Sequence, residues 1–98
     1  MKLTSKQRAY LMSLSNSIDP IFNVGKASLT PELLEAVDQA LEKRELIKVG
    51  VLKNCLDDPH EIAEVMGERT RSVVVKVIGK KIILYRPNKK KPKIELPK

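Results

Sequence analysis

The stretch Ile21–Leu34, with the sequence IFNVGKASLTPELL, decides the fold because it joins a strand to a helix through a loop of small residues. The apolar run that opens it predicts a short strand, and Gly25–Ser28 predicts a turn. Thr30 is a good N-cap and Pro31 suits the first helical position, so we expect a helix to begin there. The start of this helix should therefore present free backbone N–H groups beside a loop with little side-chain bulk.

Exposed N–H groups at a helix start attract anions, and phosphate in particular. Lys26 adds a positive charge next to that helix start. One glycine and one lysine are also compatible with an ordinary strand-to-helix connection. The stretch alone leaves these two interpretations open.

Capping signals and helical periodicity predict three helices. Thr4 and Gln7 form a capping box before the first. The third should have Asp58 as its cap, with Glu61 bonding back to it, and Gly67 should end it. The first two predicted helices run from about Ser5 to about Ser15 and from about Pro31 to Arg44, and the third follows its cap Asp58 and ends near Glu68.

Three further strands are predicted at Glu45–Leu52, Ser72–Ile78 and Lys81–Tyr85, with Gly79-Lys80 as a two-residue hairpin turn. The resulting order is αβαβαββ. Its two strand–helix–strand crossovers favour parallel pairing, whereas the final hairpin must be antiparallel. We therefore expect an α/β or α+β fold in two layers, with the helices packed on a four-stranded mixed sheet.

The chain is basic, and the excess charge is concentrated at its end. Its 98 residues suffice for one domain, and the formal net charge is +7. From Arg86 onward, six basic residues and one acid contribute +5, which leaves +2 for residues 1–85. We predict a folded domain over residues 1–87 and a basic tail over residues 88–98. Such a charge usually serves contact with a polyanion or an acidic surface.

Composition excludes several classes of function. With 3% aromatic residues and no tryptophan, stacking of single-stranded bases on a sheet face is disfavoured. No apolar run could span a membrane, no signal-peptide core is present, and the single Cys55 suits a reducing compartment, so we expect a cytoplasmic protein. Cys55 and His60 are too few for a metal site, and no P-loop or dinucleotide fingerprint occurs. We expect no cofactor.

Four segments of the chain resemble the CRM domain (chloroplast RNA splicing and ribosome maturation), in particular its stand-alone bacterial, YhbY-like form. They are Leu3–Arg8, Val24–Thr30, Leu46–Val49 and Val77–Pro87, in the family's order. The resemblance implies a fold similar to the C-terminal domain of bacterial translation initiation factor three. It also implies RNA binding and, for stand-alone bacterial members, association with precursors of the large ribosomal subunit.

The family typically carries a GxxG loop after its first strand, similar to the loop with which KH domains clamp nucleotide backbone. The corresponding residues are Gly25, Lys26, Ala27 and Ser28, so a serine replaces the second glycine. Glycine would permit a positive φ and the closest approach to a phosphate. Serine adds a hydroxyl donor but restricts φ, so we expect the anion-binding role with an altered clamp geometry.

We predict a non-enzymatic, monomeric RNA-binding protein that binds ribosomal RNA in large-subunit precursors as an assembly factor. The predicted contacts are Gly25, Lys26, Ala27, Ser28, Lys6, Arg8, Lys80, Lys81, Arg86, Lys89, Lys90 and Lys91. Lysines at sheet edges also prevent aggregation, and a lysine-rich end can simply be solvated. Two alternatives remain: an adaptor that docks its basic tail on an acidic protein, and a small hydrolase using Cys55 or the Asp57-Asp58 loop.

Overall fold

The computed structural model describes residues 2–98. Its helices are α1 (Ser5–Ser15), α2 (Pro31–Arg44) and α3 (Pro59–Thr70), and its strands are β1 (Phe22–Val24), β2 (Leu46–Val51), β3 (Val73–Ile78) and β4 (Lys81–Tyr85). The predicted element order and the α+β class with a four-stranded mixed sheet are confirmed. Each of the three helices is too short and too polar to serve as a membrane span.

The first two helices begin as their capping residues predict. The Thr4 hydroxyl accepts the backbone N–H of Gln7 at 3.1 Å, and the Gln7 side chain accepts the backbone N–H of Thr4 at 3.1 Å. At α2, the Thr30 hydroxyl accepts the N–H of Leu33 at 3.1 Å, and Pro31 occupies the first turn. Local side-chain chemistry therefore sets both starts.

The start of α3 is simpler than we expected. The Asp58 carboxylate accepts the N–H of His60 at 3.3 Å. Within residues 2–98, Asp58 accepts from His60 rather than from Glu61, and Glu61 makes no return bond, so Asp58 caps the helix without the predicted capping box.

The end of α3 corrects the prediction that Gly67 stops the helix. The helix continues to Thr70 and ends at Arg71, which has a left-handed conformation with φ 57°. A Cβ on Gly67 would lie 3.2 Å from the carbonyl oxygen of Ser72 and 3.2 Å from Cγ2 of Val74. The glycine is therefore used for close packing of helix against strand rather than for termination.

The strand order in the sheet is β1-β2-β4-β3. β1 pairs with β2 in parallel, whereas β4 pairs antiparallel with both β2 and β3. Our expectation of parallel pairing holds for the first crossover only. β2 and β3 run in the same direction but do not touch, because β4 folds back into the space between them.

Both faces of the sheet are covered by helix. On one face α2 and α3 form the larger cluster, in which Leu41 and Met66 pack with Ile47 and Leu84. On the other face α1 forms a second cluster, in which Leu11 packs with residues such as Leu46, Val75, Ile83 and Tyr85. α1 thus adds a layer to the two that we expected, because β2 and β4 are apolar on this face as well.

The segment after β4 packs back onto the α1 side of the sheet. Ile94 and Leu96 join the second cluster, and the side-chain amide of Gln7 donates to the carbonyl oxygen of Pro97 at 3.1 Å. The division into domain and tail at residue 87 stays a prediction, but the segment lies against the body along most of its length.

The buried Tyr85 should couple stability to alkaline pH. Burial raises the pKa of its hydroxyl above the usual 10.0, and the negative charge of Glu45 raises it further. The folded state then holds this proton more tightly than the unfolded chain, so stability present below about pH 10 is lost as the pH rises through the folded-state pKa. Tyr85→Phe should therefore show a shallower fall of the thermal midpoint than the parent above about pH 10.

Tyr10→Phe is the matched control, because Tyr10 is 38% exposed. It should keep the parent's pH dependence. Identical alkaline profiles for the parent and Tyr85→Phe would contradict the prediction.

Candidate nucleic-acid interface

Three loops meet at one end of the sheet, because β1 and β2 run in parallel and the β3–β4 hairpin turns at that same end. The N–H of Leu52 donates to the carbonyl oxygen of Val24 at 2.9 Å, and the N–H of Val51 donates to that of Lys80 at 2.8 Å. We call this end of the sheet the loop end. It consists of Gly25–Ser28, Leu52–Asp58 and the turn Gly79–Lys80.

The GxxG-like loop closes as a tight turn, in which the N–H of Ser28 donates to the carbonyl oxygen of Gly25 at 2.9 Å. Ser28 has φ 57°, so it adopts the left-handed conformation for which glycine is favoured. Ser28 therefore has the positive φ that a glycine would permit, in spite of the restriction that its Cβ imposes. The Ser28 hydroxyl donates to the Asp57 carboxylate, a contact that glycine could not make.

The start of α2 is open to solvent beside this turn. Lys26, Ala27, Pro31 and Glu32 are exposed. Pro31 has no N–H and the N–H of Leu33 donates to the Thr30 hydroxyl, so Glu32 supplies the remaining N–H of the first turn. Two exposed acids reduce the positive potential there: Glu32 lies in the first turn of α2, and Asp57 accepts the Ser28 hydroxyl. The start of α2 is therefore accessible from solvent, and anion binding there stays a prediction.

Lysines surround the loop end. Lys80 and Lys81 are exposed at the hairpin, and the Nζ atom of Lys81 lies 3.8 Å from where a Cβ on Gly50 would be. Lys53, which sequence reasoning missed, is exposed in the loop after β2. Its neighbours Leu52 and Asn54 each approach the Cβ position of Gly25 to 3.6 Å. Parallel pairing of β1 with β2 was the signal that could have placed Lys53 beside the GxxG-like loop.

The basic residues of α1 lie elsewhere. Arg8 donates from Nη1 to the carbonyl oxygens of Val74, at 2.9 Å, and of Val75, where β3 has an irregular register against β4. Lys6 is exposed on the same helix. The structure thus places both on the α1 side of the sheet, away from the loop end.

Arg86 lies at the opposite end of the sheet, and its side chain is only 17% exposed. Nη1 donates to the Asp38 carboxylate and the Thr70 carbonyl oxygen, each at 2.6 Å. Nη2 donates to the Asp38 carbonyl oxygen at 2.8 Å and to the Glu42 carboxylate at 3.3 Å. The guanidinium therefore ties β4 to α2 and α3, and contact with RNA stays a prediction for this residue.

Lys89, Lys90 and Lys91 are exposed just beyond Arg86. The predicted contacts therefore fall into three groups: the loop end, the α1 side, and the end of the sheet at which β4 finishes. The structure brings together the loop and the hairpin lysines.

The residues that could bind metal or act as a nucleophile are not assembled. In the part of the chain that the structure describes, no three His, Cys, Asp or Glu side chains are close enough to hold a metal ion. Cys55 is 6% exposed and packs in the larger core cluster, where a substrate could not reach it. The imidazole of His60 lies 3.5 Å from the Asp58 carboxylate, and both side chains are largely solvated.

Comparison with known proteins assigns the family. Residues 3–86 match the model described as the CRS1 / YhbY (CRM) domain. The chain belongs to this family. The resemblance seen in the sequence is thereby confirmed.

Relatives of this CRM-domain protein extend over its whole length. It is 43% identical over 95 residues to the probable RNA-binding protein YqeI of Bacillus subtilis, covering 97% of this chain and 99% of the relative. It is 32% identical over 96 residues to an RNA-binding protein of Haemophilus influenzae, covering 98% and 96%. The solution structure of the hypothetical protein SAV1595 from Staphylococcus aureus superposes with a TM-score of 0.82 at 50% identity, covering 98% and 100%.

In this CRM domain, Arg86 should matter for stability. Arg86→Ala removes two hydrogen bonds to carbonyl oxygens and two to carboxylates, so we expect it to lower the free energy of unfolding by about 1.5–3 kcal/mol. Urea unfolding followed by circular dichroism measures the change. Arg69→Ala, which alters an exposed arginine of α3, should cost less than half as much. Equal losses in the two variants would show that the Arg86 contacts contribute little.

Proposed function

We propose that this CRM-domain protein is a non-enzymatic RNA-binding protein that grips the RNA backbone at its loop end. The observation that carries the proposal is that four exposed lysines lie at the loop end, where α2 also begins. These are Lys26, Lys53, Lys80 and Lys81. Relatives over the full length are named as RNA-binding proteins, which supports the same class of ligand.

A backbone phosphate would bind at the turn Gly25–Ser28 and the N–H of Glu32 in the first turn of α2. There the dipole of a 14-residue helix and the adjacent amides favour negative charge. The lysines around it would displace counterions from the RNA, which contributes affinity without reading sequence. Lys26 and Ala27 are exposed at the tip of the turn, so a phosphate can approach the main chain closely.

Recognition would depend on RNA shape rather than on stacked bases. Of the aromatic side chains, Tyr85 is buried, Phe22 packs partly against the core and Tyr10 is 38% exposed. The loop end therefore offers no aromatic platform of the kind that single-strand readers use. Lysines and main-chain amides suit the regularly spaced phosphates of folded RNA.

The ligand that we propose is ribosomal RNA in precursors of the large subunit, bound by a cytoplasmic monomer acting in ribosome assembly. This part of the proposal rests on the resemblance to the stand-alone bacterial members of the family. The adaptor alternative finds less support, because Ile94 and Leu96 of the tail pack on the protein's own body.

Neutralising the loop end should weaken RNA binding. For Lys26→Gln/Lys80→Gln we expect lower affinity for labelled large-subunit ribosomal RNA transcripts. The slope of log K against the logarithm of the salt concentration should be less negative by about two, one for each lost phosphate contact. Lys2→Gln/Lys98→Gln removes the same charge from two other exposed positions and should change both quantities less.

The same pair of variants tests the ribosomal part of the proposal in cells. The parent and the control should cosediment at low salt with large-subunit precursors, whereas Lys26→Gln/Lys80→Gln should not. Nuclease digestion should abolish the cosedimentation, because the proposed contact is with RNA. A direct contact with a protein partner would survive the digestion. Equal RNA affinity for the loop-end variant and its control at matched salt would refute the proposed binding face.

Asp57 should limit the affinity of the loop. Its carboxylate accepts from Ser28, next to where the phosphate would bind, and it repels that phosphate. Asp57→Asn keeps an acceptor for the Ser28 hydroxyl while removing the charge, so RNA binding should tighten. Glu64→Gln makes the same charge change at an exposed position of α3 and serves as the control. An equal gain in both variants would mean that only net charge matters.

A further inference from the structure

A groove lies at the end of the sheet opposite the loop end, where β2 begins and β4 finishes. Its walls come from α2, from the end of α3 and from the start of the tail. We call it the tail groove; it is lined by Asp38, Glu42, Arg69, Arg71, Lys89 and Lys90, with Arg86 at its base.

The tail groove carries a net positive charge. Its acids, Asp38 and Glu42, pair with Arg86 at 2.6 and 3.3 Å. The other basic side chains are exposed: Arg69, Arg71, Lys89 and Lys90. Five cations against two acids leave +3 in the lining. Such a groove suits a polyanion rather than an acidic side chain or a small apolar ligand.

The tail side of the groove is held by a buried carboxylate. Glu45 is 0% exposed, and its side chain accepts three backbone N–H groups. Oε2 accepts from Asn88 at 2.7 Å, while Oε1 accepts from Lys93 at 2.7 Å and from Ile94 at 2.9 Å. A buried carboxylate requires such partners, and here they fix both ends of the segment 88–94.

The side chain of Asn88 stabilises a turn between those two anchor points. Its Oδ1 accepts from the N–H of Lys90 at 2.9 Å and of Lys91 at 3.1 Å. Its Nδ2 donates to the carbonyl oxygen of Glu42 at 2.9 Å. Lys89 and Lys90 are therefore presented on a fixed turn and not on a freely moving tail.

We propose that the tail groove is a second contact for the RNA backbone, and that Glu45 is the positioning residue for its tail side. The inference rests on the proposed function. β2 separates the two surfaces by its six residues, or about 20 Å. A folded RNA that presents phosphates on one side over that distance fits both, whereas a short single strand fits only one. Contacts at two ends of one RNA strengthen each other, because the second forms within a complex that already exists.

Fixing the lysines in advance has a physical advantage. A loose tail that becomes ordered on RNA loses conformational entropy at the moment of binding. Glu45 and Asn88 hold the tail before the RNA arrives, so more of the electrostatic attraction contributes to affinity.

Removing one cation from each wall tests the groove. Arg69→Gln/Lys90→Gln should bind labelled large-subunit ribosomal RNA transcripts more weakly than the parent, with a salt plot flatter by about two. Lys2→Gln/Lys98→Gln is again the control of equal charge. With transcripts trimmed to a short single strand, which cannot make both contacts, the difference between the groove variant and this control should be smaller.

Positioning is tested without losing groove cations. Glu45→Gln removes one negative charge, which alone would tighten RNA binding. Its NH₂ group, however, would face the N–H of Asn88, and this donor would lose its acceptor. We expect weaker binding of folded transcripts with an unchanged salt slope. Asn88→Ala changes no charge and leaves Glu45 intact, and it should show the same pattern. If circular dichroism shows that Glu45→Gln is unfolded, Asn88→Ala alone tests the positioning.

The outcomes separate the two proposals. If Lys26→Gln/Lys80→Gln weakens binding but Arg69→Gln/Lys90→Gln matches its control, the groove is not an RNA contact and the loop-end function stands. If Glu45→Gln and Asn88→Ala, when folded, bind as tightly as the parent, the positioning role is overturned. If the parent itself fails to bind the transcripts, the proposed function fails.

Discussion

The pairing of β4 with both β2 and β3 is the interaction on which the rest of the structure depends. All four residues of β4 after Lys81 are buried. Since successive residues of a strand face opposite sides, such a run requires cover on both faces. Ile82 and Leu84 pack under α2 and α3, whereas Ile83 and Tyr85 pack under α1. The same strand brings Lys81 to the loop end and Arg86 to the tail groove.

Arg8 and Arg86 have a different role from the exposed lysines, and the difference follows from irregularities in the fold. Arg8 donates to carbonyl oxygens where β3 departs from regular pairing, and Arg86 donates to the carbonyl oxygen of Thr70 at the end of α3. Strand irregularities and helix ends leave such carbonyls without backbone partners, and the guanidinium fork can satisfy them. Lys26 and Lys80 remain exposed, as a counterion-displacing surface requires.

Within the described residues 2–98, three residues other than glycine have positive φ, and each occurs where chain elements join: Ser28, Glu45 and Arg71. Such conformations are costly for residues with a Cβ and persist only when the surroundings compensate. The Ser28 hydroxyl binds Asp57, the Glu45 carboxylate binds the tail, and the N–H of Arg71 bonds back to the last turn of α3. All three residues border the surfaces proposed for RNA, so the backbone there is held by contacts that a relaxed loop would lack.

The sequence by itself determined the features that depend on neighbours in the chain. Caps at Thr4 and Thr30 set two helix starts, Gly79 marked the hairpin turn, and Gly25–Ser28 marked the turn before α2. Only the tertiary structure decided the strand order, the end of α3, the place of Lys53 beside the loop and the engagement of Arg86. Its partner Asp38 lies 48 positions away in the chain, and Glu45 meets Ile94 across 49. Capping and turn preferences act over a few residues, whereas contacts of this range exist only after β4 has entered the sheet.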